Sequence, residues 1–571
     1  MYLDPHQDVW SRWTGGDGAP LWTLQLAGFD VEHFPECEAA ISQETYGRGH
    51  SSAEQGQRGK NPKLPKMMWP SNYFKLACAT MFTLFWAGER FAPDCVVKDD
   101  ANSGGEHINI QRCLQTHYIN AMAQLLKHLK GLDNVVGIGT MNEPSAGYIG
   151  VANLSHGYGD TELRYGLAPT PFQGMCLGEG HTQTVGEWSQ GFRQHVMGKP
   201  DRWKTTDPEG RRVWGNAGCV WRRAGVWRTN PQTSEPELLL PEYFANVDFG
   251  TECYLPFAQR YARTMREASD NAQLMIFVEL PPLEFSNTPF PRIPSSGPTG
   301  LANAVNATHW YDGVTLFTRS FHRHVGLDTR TYRPVVGARQ VFNMHASQLD
   351  DIRRLGRDEM GGAPTLIGEC GIPIDMRHLD AAGGAFGPAD LSAAPRDAFG
   401  PQLAAMDHTC RCLEKNLLSF TLWCYTSGNS NAEGDLWNGE DLGLYSADQK
   451  RDLDETDAHY IYDGLRAARG FVRPYAQCIA GTPLENGFDV RKGVFLFRGK
   501  ASETKVDAPT EIFVPKLWCS ERSDMRITVL DGRFEVEEGK HWFLVKYWHL
   551  GSLMRVEIRG PKTKVHAHRV R

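Results

Sequence analysis

Six short, nearly continuous apolar runs recur along the chain at 2–3, 135–141, 273–280, 304–310, 365–368 and 418–425, set apart by long polar or helical stretches. Runs of this kind, without polar alternation, read as strands covered on both faces, the pattern of a parallel sheet with crossover connections. Ahead of the second run, Leu114, Tyr118, Met122, Leu125 and Leu129 recur every three or four residues. That spacing predicts an amphipathic helix leading into the strand, one αβ unit. From about Gly470 the pattern changes to short β-type runs at 494–497, 511–514, 525–530, 542–547 and 554–558, with no helix-length segment between them. Residues 470–571 therefore read as an antiparallel β-sandwich, with Asp531-Gly532 as a hairpin turn. The stretches 47–66 and 205–235 are rich in turn residues and read as surface loops.

Length and composition add limits to this picture. A chain of 571 residues is long for a single core, so a catalytic domain over 1–469 with a smaller companion over 470–571 is expected. The 41% hydrophobic and 22% charged residues are ordinary for a globular protein, and a net charge of −7 gives no footing for a nucleic-acid partner. The longest strongly apolar stretch, 76–86, falls short of the roughly 20 residues that span a bilayer. The opening residues lack the basic start and apolar core of a secretory signal. Thirteen scattered cysteines suit reduced thiols, so an intracellular, cytoplasmic protein is expected. Arg48, Arg58, Lys60, Lys63 and Lys66 form a basic cluster. It reads first as a solvated loop and second as a peripheral contact with an anionic membrane. No obligate protein partner is indicated.

Candidate chemistry lies at the ends of the strands. The run Val136-Gly137-Ile138-Gly139-Thr140-Met141 stops at Asn142-Glu143-Pro144, and Leu366-Ile367-Gly368 stops at Glu369-Cys370-Gly371. In a parallel barrel, functional groups gather at the C-terminal ends of strands. Two carboxylates so placed suit glycoside hydrolysis, in which one protonates the leaving oxygen and the other attacks or stabilises the anomeric carbon. Other chemistries fare worse. Gly137 and Gly139 begin a dinucleotide-type loop, but Asn142 stands where a third glycine is needed, and neither a Walker loop nor a Gly-x-Ser-x-Gly elbow occurs. Cys410 with Cys412, and His322 with His324, have no second pair at zinc-site spacing. No metal and no cofactor are expected.

Five stretches taken together carry a family resemblance: Asp4-Pro5-His6-Gln7-Asp8, TMNEPSAG at 140–147, HWYD at 309–312, LIGECGIP at 366–373 and TLWCYTSGNSNAEGDLWNGEDLGLYS at 421–446. In this order they resemble glycoside hydrolase family 5, in the branch of endoglycoceramidases, fungal glucosylceramidases and steryl β-glucosidases. The resemblance implies a (β/α)₈ barrel followed by a β-sandwich. On that alignment the chain opens in the third barrel strand, without the first two strand–helix units. It implies a retaining double displacement with Glu143 as acid/base and Glu369 as nucleophile, their carboxyl groups about 5–5.5 Å apart. It also implies that Asn142 meets the sugar 2-hydroxyl, that His6 and Asp8 hold sugar hydroxyls, and that His309 and Tyr311 belong to the site, Tyr311 orienting the nucleophile. Trp423 would face the sugar ring, and Glu433, Asp435, Glu440 and Asp441 form a loop that either meets glucose hydroxyls or is solvated. The substrate implied is a glycolipid, a steryl glucoside or glucosylceramide. An apolar wall of Pro171, Phe172, Met175, Leu280, Pro281, Leu283, Phe285 and Phe290 is the expected seat of its lipid part. The alternatives are endo-acting release of an oligosaccharide and a non-catalytic glycolipid-binding remnant.

Overall fold

The computed structural model describes residues 1–46, 64–99, 105–159, 162–189, 199–280, 291–297, 300–331, 333–376, 399–436, 439–457, 459–504 and 506–562. It divides into two compact units. One comprises Met1–His309 with Arg354–Thr365, the other Trp310–Arg353 with Leu366–Arg571. Among the described residues, no helix is long and apolar enough to cross a membrane.

The first unit is organised on a parallel sheet of β1 (Tyr2–Leu3), β2 (Gly137–Gly139), β3 (Met275–Val278) and β4 (Ala304–Asn306), in that order. Tyr2 and Leu3 pair with Gly137 and Ile138, and Met275 to Phe277 pair with Gly137 to Gly139. A parallel bridge also joins Asn306 to Thr365. Gly137 and Gly139 therefore serve packing. A Cβ at 137 would lie 2.6 Å from the Met275 carbonyl oxygen, and one at 139 would lie 2.7 Å from Asp4 Oδ1.

Three helices of this unit, α1 (Leu76–Phe91), α2 (Ile110–His128) and α3 (Leu255–Ser269), share one core with the sheet. The apolar stretch 76–86 is thus a buried helix of a globular core. Helix α2 is the one expected ahead of β2. Asn109 caps it by accepting from the Gln111 N–H, and Lys127 and His128 occupy the last turn, where cations favour the dipole. Leu114 is buried, and Tyr118 and Met122 pack on the core. Leu125 is 42% exposed, so the stripe is narrower than the sequence spacing predicts.

The expected surface loop at 205–235 is instead largely built into the fold. It contributes Val213, Trp214, Trp221, Val226 and Trp227 to the core, and an antiparallel pair, Trp227–Thr229 with Pro236–Leu238. Burial of a large apolar side chain stabilises by about 1.5–3 kcal/mol. Several such side chains outweigh the polar, turn-rich residues around them. Of the basic cluster, Arg48, Arg58, Lys60 and Lys63 lie outside the described residues, and only Lys66 lies within them.

In the second unit, β5 (Leu366–Cys370) pairs in parallel with β6 (Ser419–Leu422), and α4 (Gly400–Lys415) connects to β6. Eight further strands follow: β7 (Tyr475–Cys478), β8 (Gly481–Asp489), β9 (Val494–Ala501), β10 (Thr510–Pro515), β11 (Arg526–Val529), β12 (Gly532–Glu538), β13 (Trp542–His549) and β14 (Leu553–Arg559). They form two antiparallel sheets, β7-β10-β13-β12 and β8-β9-β14-β11. Both contribute to one core that includes Phe495, Phe497, Ile512, Phe543, Val545 and Val556.

Asp531-Gly532 is not a hairpin turn. β11 pairs with β14 whereas β12 pairs with β13, so the chain changes sheets there. The Leu530 N–H donates to the Arg555 carbonyl and the Leu550 N–H to the Asp531 carbonyl, so adjacent residues are claimed by different sheets. Arg473, almost fully buried, ties α4 to this part of the unit. It reaches Asp407 at 3.2 Å, Glu414 at 2.6 Å and the Phe488 carbonyl at 2.7 Å. Burial raises Glu414 to about 7 even beside that guanidinium. All thirteen cysteines are free, and only Cys478 is exposed.

Candidate active site

Glu143 follows β2 on a loop fixed from two sides. Asn142 N–H donates to the Pro5 carbonyl at 3.0 Å. The Asn142 side-chain amide donates to the Gln7 carbonyl at 2.7 Å, and Gln7 Nε2 returns a bond to the Asn142 carbonyl at 2.8 Å. From helix α1, Trp86 Nε1 donates to the Ser145 carbonyl at 2.8 Å and Thr83 Oγ1 accepts from the Tyr148 N–H at 2.8 Å. These bonds hold Glu143 at φ +38°, in the left-handed region. For a residue with a side chain that conformation costs about 1–3 kcal/mol, and such strain gathers at functional sites.

The Glu143 carboxylate meets His309, whose Nδ1 is 3.0 Å from Glu143 Oε1. His309 is fully buried, and its Nε2 lies 3.3 Å from Glu279 Oε2. Glu279, at the end of β3, is itself fully buried. Burial first, then the charge of Asp4 and a hydrogen bond with it, raise its carboxyl well above the ordinary range, against the lowering effect of His309. Asn142 Oδ1 is buried and has no hydrogen-bond partner. His6 sits with Nδ1 3.2 Å from Asp17 and Nε2 3.7 Å from Asp8. The Asp8 and Asp17 backbones exchange hydrogen bonds, which fixes the ends of that loop. The first unit therefore brings Glu143, Asn142 and His309 together and ties them to the 4–8 segment that carries His6 and Asp8.

In the second unit, Glu369 lies within β5 and is partly exposed. Its Oε1 accepts a short hydrogen bond from the Tyr311 hydroxyl, and its carbonyl accepts from the Trp310 N–H at 3.0 Å. Trp423 follows β6, is partly exposed, and donates its backbone N–H to the Cys370 carbonyl at 2.9 Å. Gly371 makes that approach possible, since a Cβ there would lie 2.4 Å from the Trp423 carbonyl oxygen. Tyr311 and Trp423 thus both flank the segment that carries Glu369.

In the loop at 433–441 the solvated reading fails for Glu440 and Asp441, which are buried. Asp441 forms a two-pronged ion pair with fully buried Arg466, and Asn429 bridges Asp435 at 2.7 Å and Asp441 at 3.0 Å. These acids hold the loop. Of Glu433, Asp435, Glu440 and Asp441, only Glu433 is exposed. Of the expected apolar wall, Met175 and Leu280 are buried and Pro171 is too, whereas Phe172 is partly exposed. Pro281, Leu283, Phe285 and Phe290 lie outside the described residues.

Sequence reasoning passed over Glu279 and Gln7. Glu279 carried the same signal as the two chosen glutamates, an apolar run ending in a carboxylate, and Gln7 lay inside a quoted motif.

Comparison with known proteins adds what the geometry leaves open. Residues 473–558 match the model of the glycoside hydrolase family 5 C-terminal domain. An ergosteryl-β-glucosidase of Saccharomyces cerevisiae is 33% identical over 79% of this chain and 60% of its own length. A glucosylceramidase of Aspergillus fumigatus is 31% identical over 99% of this chain and 81% of its own length. The chain belongs to glycoside hydrolase family 5. Its branch is that of the fungal glucosylceramidases and steryl β-glucosidases. The crystal structure of Cryptococcus neoformans sterylglucosidase 1 superposes with a TM-score of 0.83 at 29% identity, covering 98% of this chain and 81% of that one. The structural relatives of this chain are TIM-barrel enzymes with a C-terminal domain, and the two antiparallel sheets after residue 470 are consistent with that C-terminal domain. Against the yeast relative the chain spans 60% of the length.

Proposed function

We propose that the chain hydrolyses the β-glucosidic bond of a glycolipid, a steryl glucoside or glucosylceramide, by a retaining double displacement. Residues 1–469 would be its catalytic domain and 470–571 its sandwich domain. Glu143 protonates the leaving oxygen while Glu369 attacks the anomeric carbon. Water, deprotonated by Glu143, then releases glucose from Glu369. Tyr311 steadies the Glu369 carboxylate by donating to it. Asn142 Oδ1, buried and unpartnered, accepts from the 2-hydroxyl, and His6, Asp8 and Trp423 bind the sugar.

The observation that carries this reading is the pairing of each glutamate with a partner suited to its task, Glu143 with a buried imidazole and Glu369 with a phenol donor. The substrate class is supported by what the relatives are named for, ergosteryl glucoside and glucosylceramide.

The purified chain is tested with a fluorogenic β-glucoside, ergosteryl glucoside and glucosylceramide, with the released sugar identified. Free glucose is expected, and Glu369→Gly in azide should yield the glucosyl azide of inverted configuration. Release of an intact oligosaccharide would make the chain endo-acting, and glycolipid binding without turnover would make it a binding protein.

A further inference from the structure

His309 is completely buried between two carboxyl groups, Glu143 on Nδ1 at 3.0 Å and Glu279 on Nε2 at 3.3 Å. If both were ionised, the imidazole would be a cation. A cation 3.0 Å from Glu143 would stabilise its carboxylate and spoil it as a proton donor. The neighbours of Glu279 prevent this. A carboxyl oxygen of Asp4 lies within 4.8 Å of one of Glu279, and both acids occupy the space above Gly139, where a Cβ would lie 2.7 Å from Asp4 Oδ1 and 3.0 Å from Glu279 Oε1. Two carboxyls so close resist carrying two charges. Asp4 is exposed and Glu279 fully buried, so the shared proton belongs on Glu279. Among the described residues, the remaining titratable groups around it are Tyr118 from α2 and Tyr254 and Tyr261 from α3 and the turn before it. Burial raises all three phenols, which stay neutral.

We propose that Glu279, seated on Asp4, is a positioning residue for the acid/base: it keeps its own proton, holds His309 neutral with the proton on Nε2, and leaves Nδ1 as the acceptor that retains Glu143 in its acid form. The inference rests on the reading of Glu143 as acid/base. Through the cycle the Glu143 proton passes to the glycosidic oxygen and is replaced from the attacking water. The protons on His309 Nε2 and Glu279 stay in place. Once ionised, Glu143 faces a lone pair on Nδ1 rather than a cation, which makes it a ready base for water.

The test is ¹⁵N NMR of the full chain labelled on histidine, with the His309 resonances assigned by their loss in His309→Gln. Neutral His309, protonated on Nε2 alone, is expected across about pH 5–8. Glu279→Gln should keep that form, because the amide donates to Asp4 and accepts from Nε2–H as the protonated acid does. Asp4→Asn removes the charge that retains the Glu279 proton. It should bring imidazolium into the same range and move the alkaline limb of kcat/KM down by about one pH unit. Doubly protonated His309 in the wild-type chain near neutral pH, or no change in either readout with Asp4→Asn, overturns the proposal. The NMR result is independent of turnover. An inactive chain with the expected His309 form would sink the hydrolase reading and leave only the protonation of His309 and Glu279 standing, and an active chain with imidazolium would do the reverse.

Discussion

Glu143 and Glu369 have the same side chain and the same kind of position near a strand end, yet their surroundings differ in the sense that the tasks proposed for them demand. Glu143 sits on a strained loop residue beside a buried imidazole, which is backed by a carboxyl that burial pushes well above the ordinary range. Glu369 lies within a strand and is met by a phenol that donates to it. The proposed acid/base thus faces a ring nitrogen and the proposed nucleophile a hydroxyl donor, two environments that act differently on a carboxyl group.

The sharpest way to break this comparison is to remove each carboxylate in turn against two leaving groups. Glu369→Gln should lower kcat by about 10⁴-fold or more with alkyl and nitrophenyl β-glucosides alike, because no covalent intermediate forms. Glu143→Gln should cost about 10²–10⁴-fold with the alkyl glucoside and far less in the first step with nitrophenyl, which needs no proton to leave. Equal losses on both substrates would erase the distinction. Next in size, Tyr311→Phe removes a hydrogen bond to a charged group worth about 1.5–3 kcal/mol. A drop in kcat/KM of about 10–100-fold is expected, and the acid limb of the pH profile should rise as the carboxylate loses its donor. An unmoved acid limb would count against Tyr311 acting on Glu369.

Two buried sites, one in each unit, should also respond to pH with opposite sign. In the second unit, His345 Nδ1 and His408 Nε2 are 2.9 Å apart and buried. Burial lowers both, His408 from 6.5 to about 3. Unfolded histidines therefore bind more protons below about pH 6.5, so this contribution is full above that pH and is lost on acidification, by at most about 1.4 kcal/mol per unit for each group. In the first unit, Glu279 is raised from 4.5, so the folded state holds the extra proton and stability declines as pH rises through its folded pKa. Urea unfolding from pH 4 to 9 should show His408→Gln flattening the acid side and Glu279→Gln the alkaline side. The same variant flattening both would remove the contrast. The smallest effect expected is at Trp423. Trp423→Leu should raise KM for a β-glucoside by about 2–10-fold through a lost ring contact, with kcat less affected, whereas an equal fall in kcat would assign Trp423 to shaping the Glu369 segment.

Much of this was readable from the residues because strands buried on both faces announce themselves as apolar runs, and Asn142-Glu143-Pro144 and Glu369-Cys370-Gly371 end two of them. What sequence reading missed depends on partners far along the chain. Asp531-Gly532 has the local chemistry of a hairpin turn, but the sheet that each neighbouring strand joins is decided by β13 and β14. Asp441 looks like a solvated loop acid until Arg466, 25 residues later, is folded beneath it. The polar composition of 205–235 concealed three tryptophans that face the core. Glu279 had the right local signal and lacked only the knowledge that Asp4 and His309 would converge on it.

The buried thiols have a practical consequence. Alkylating reagents attack thiolates, and burial pushes Cys37, Cys219 and Cys424 up to about 12 and Cys113 up to about 11, so folded protein holds these sulfurs protonated as well as out of reach. Cys478, exposed on β7 of the sandwich, is the exception. A maleimide dye or spin label should therefore mark the folded native chain at one place, away from either glutamate in sequence, without any cysteine having to be engineered.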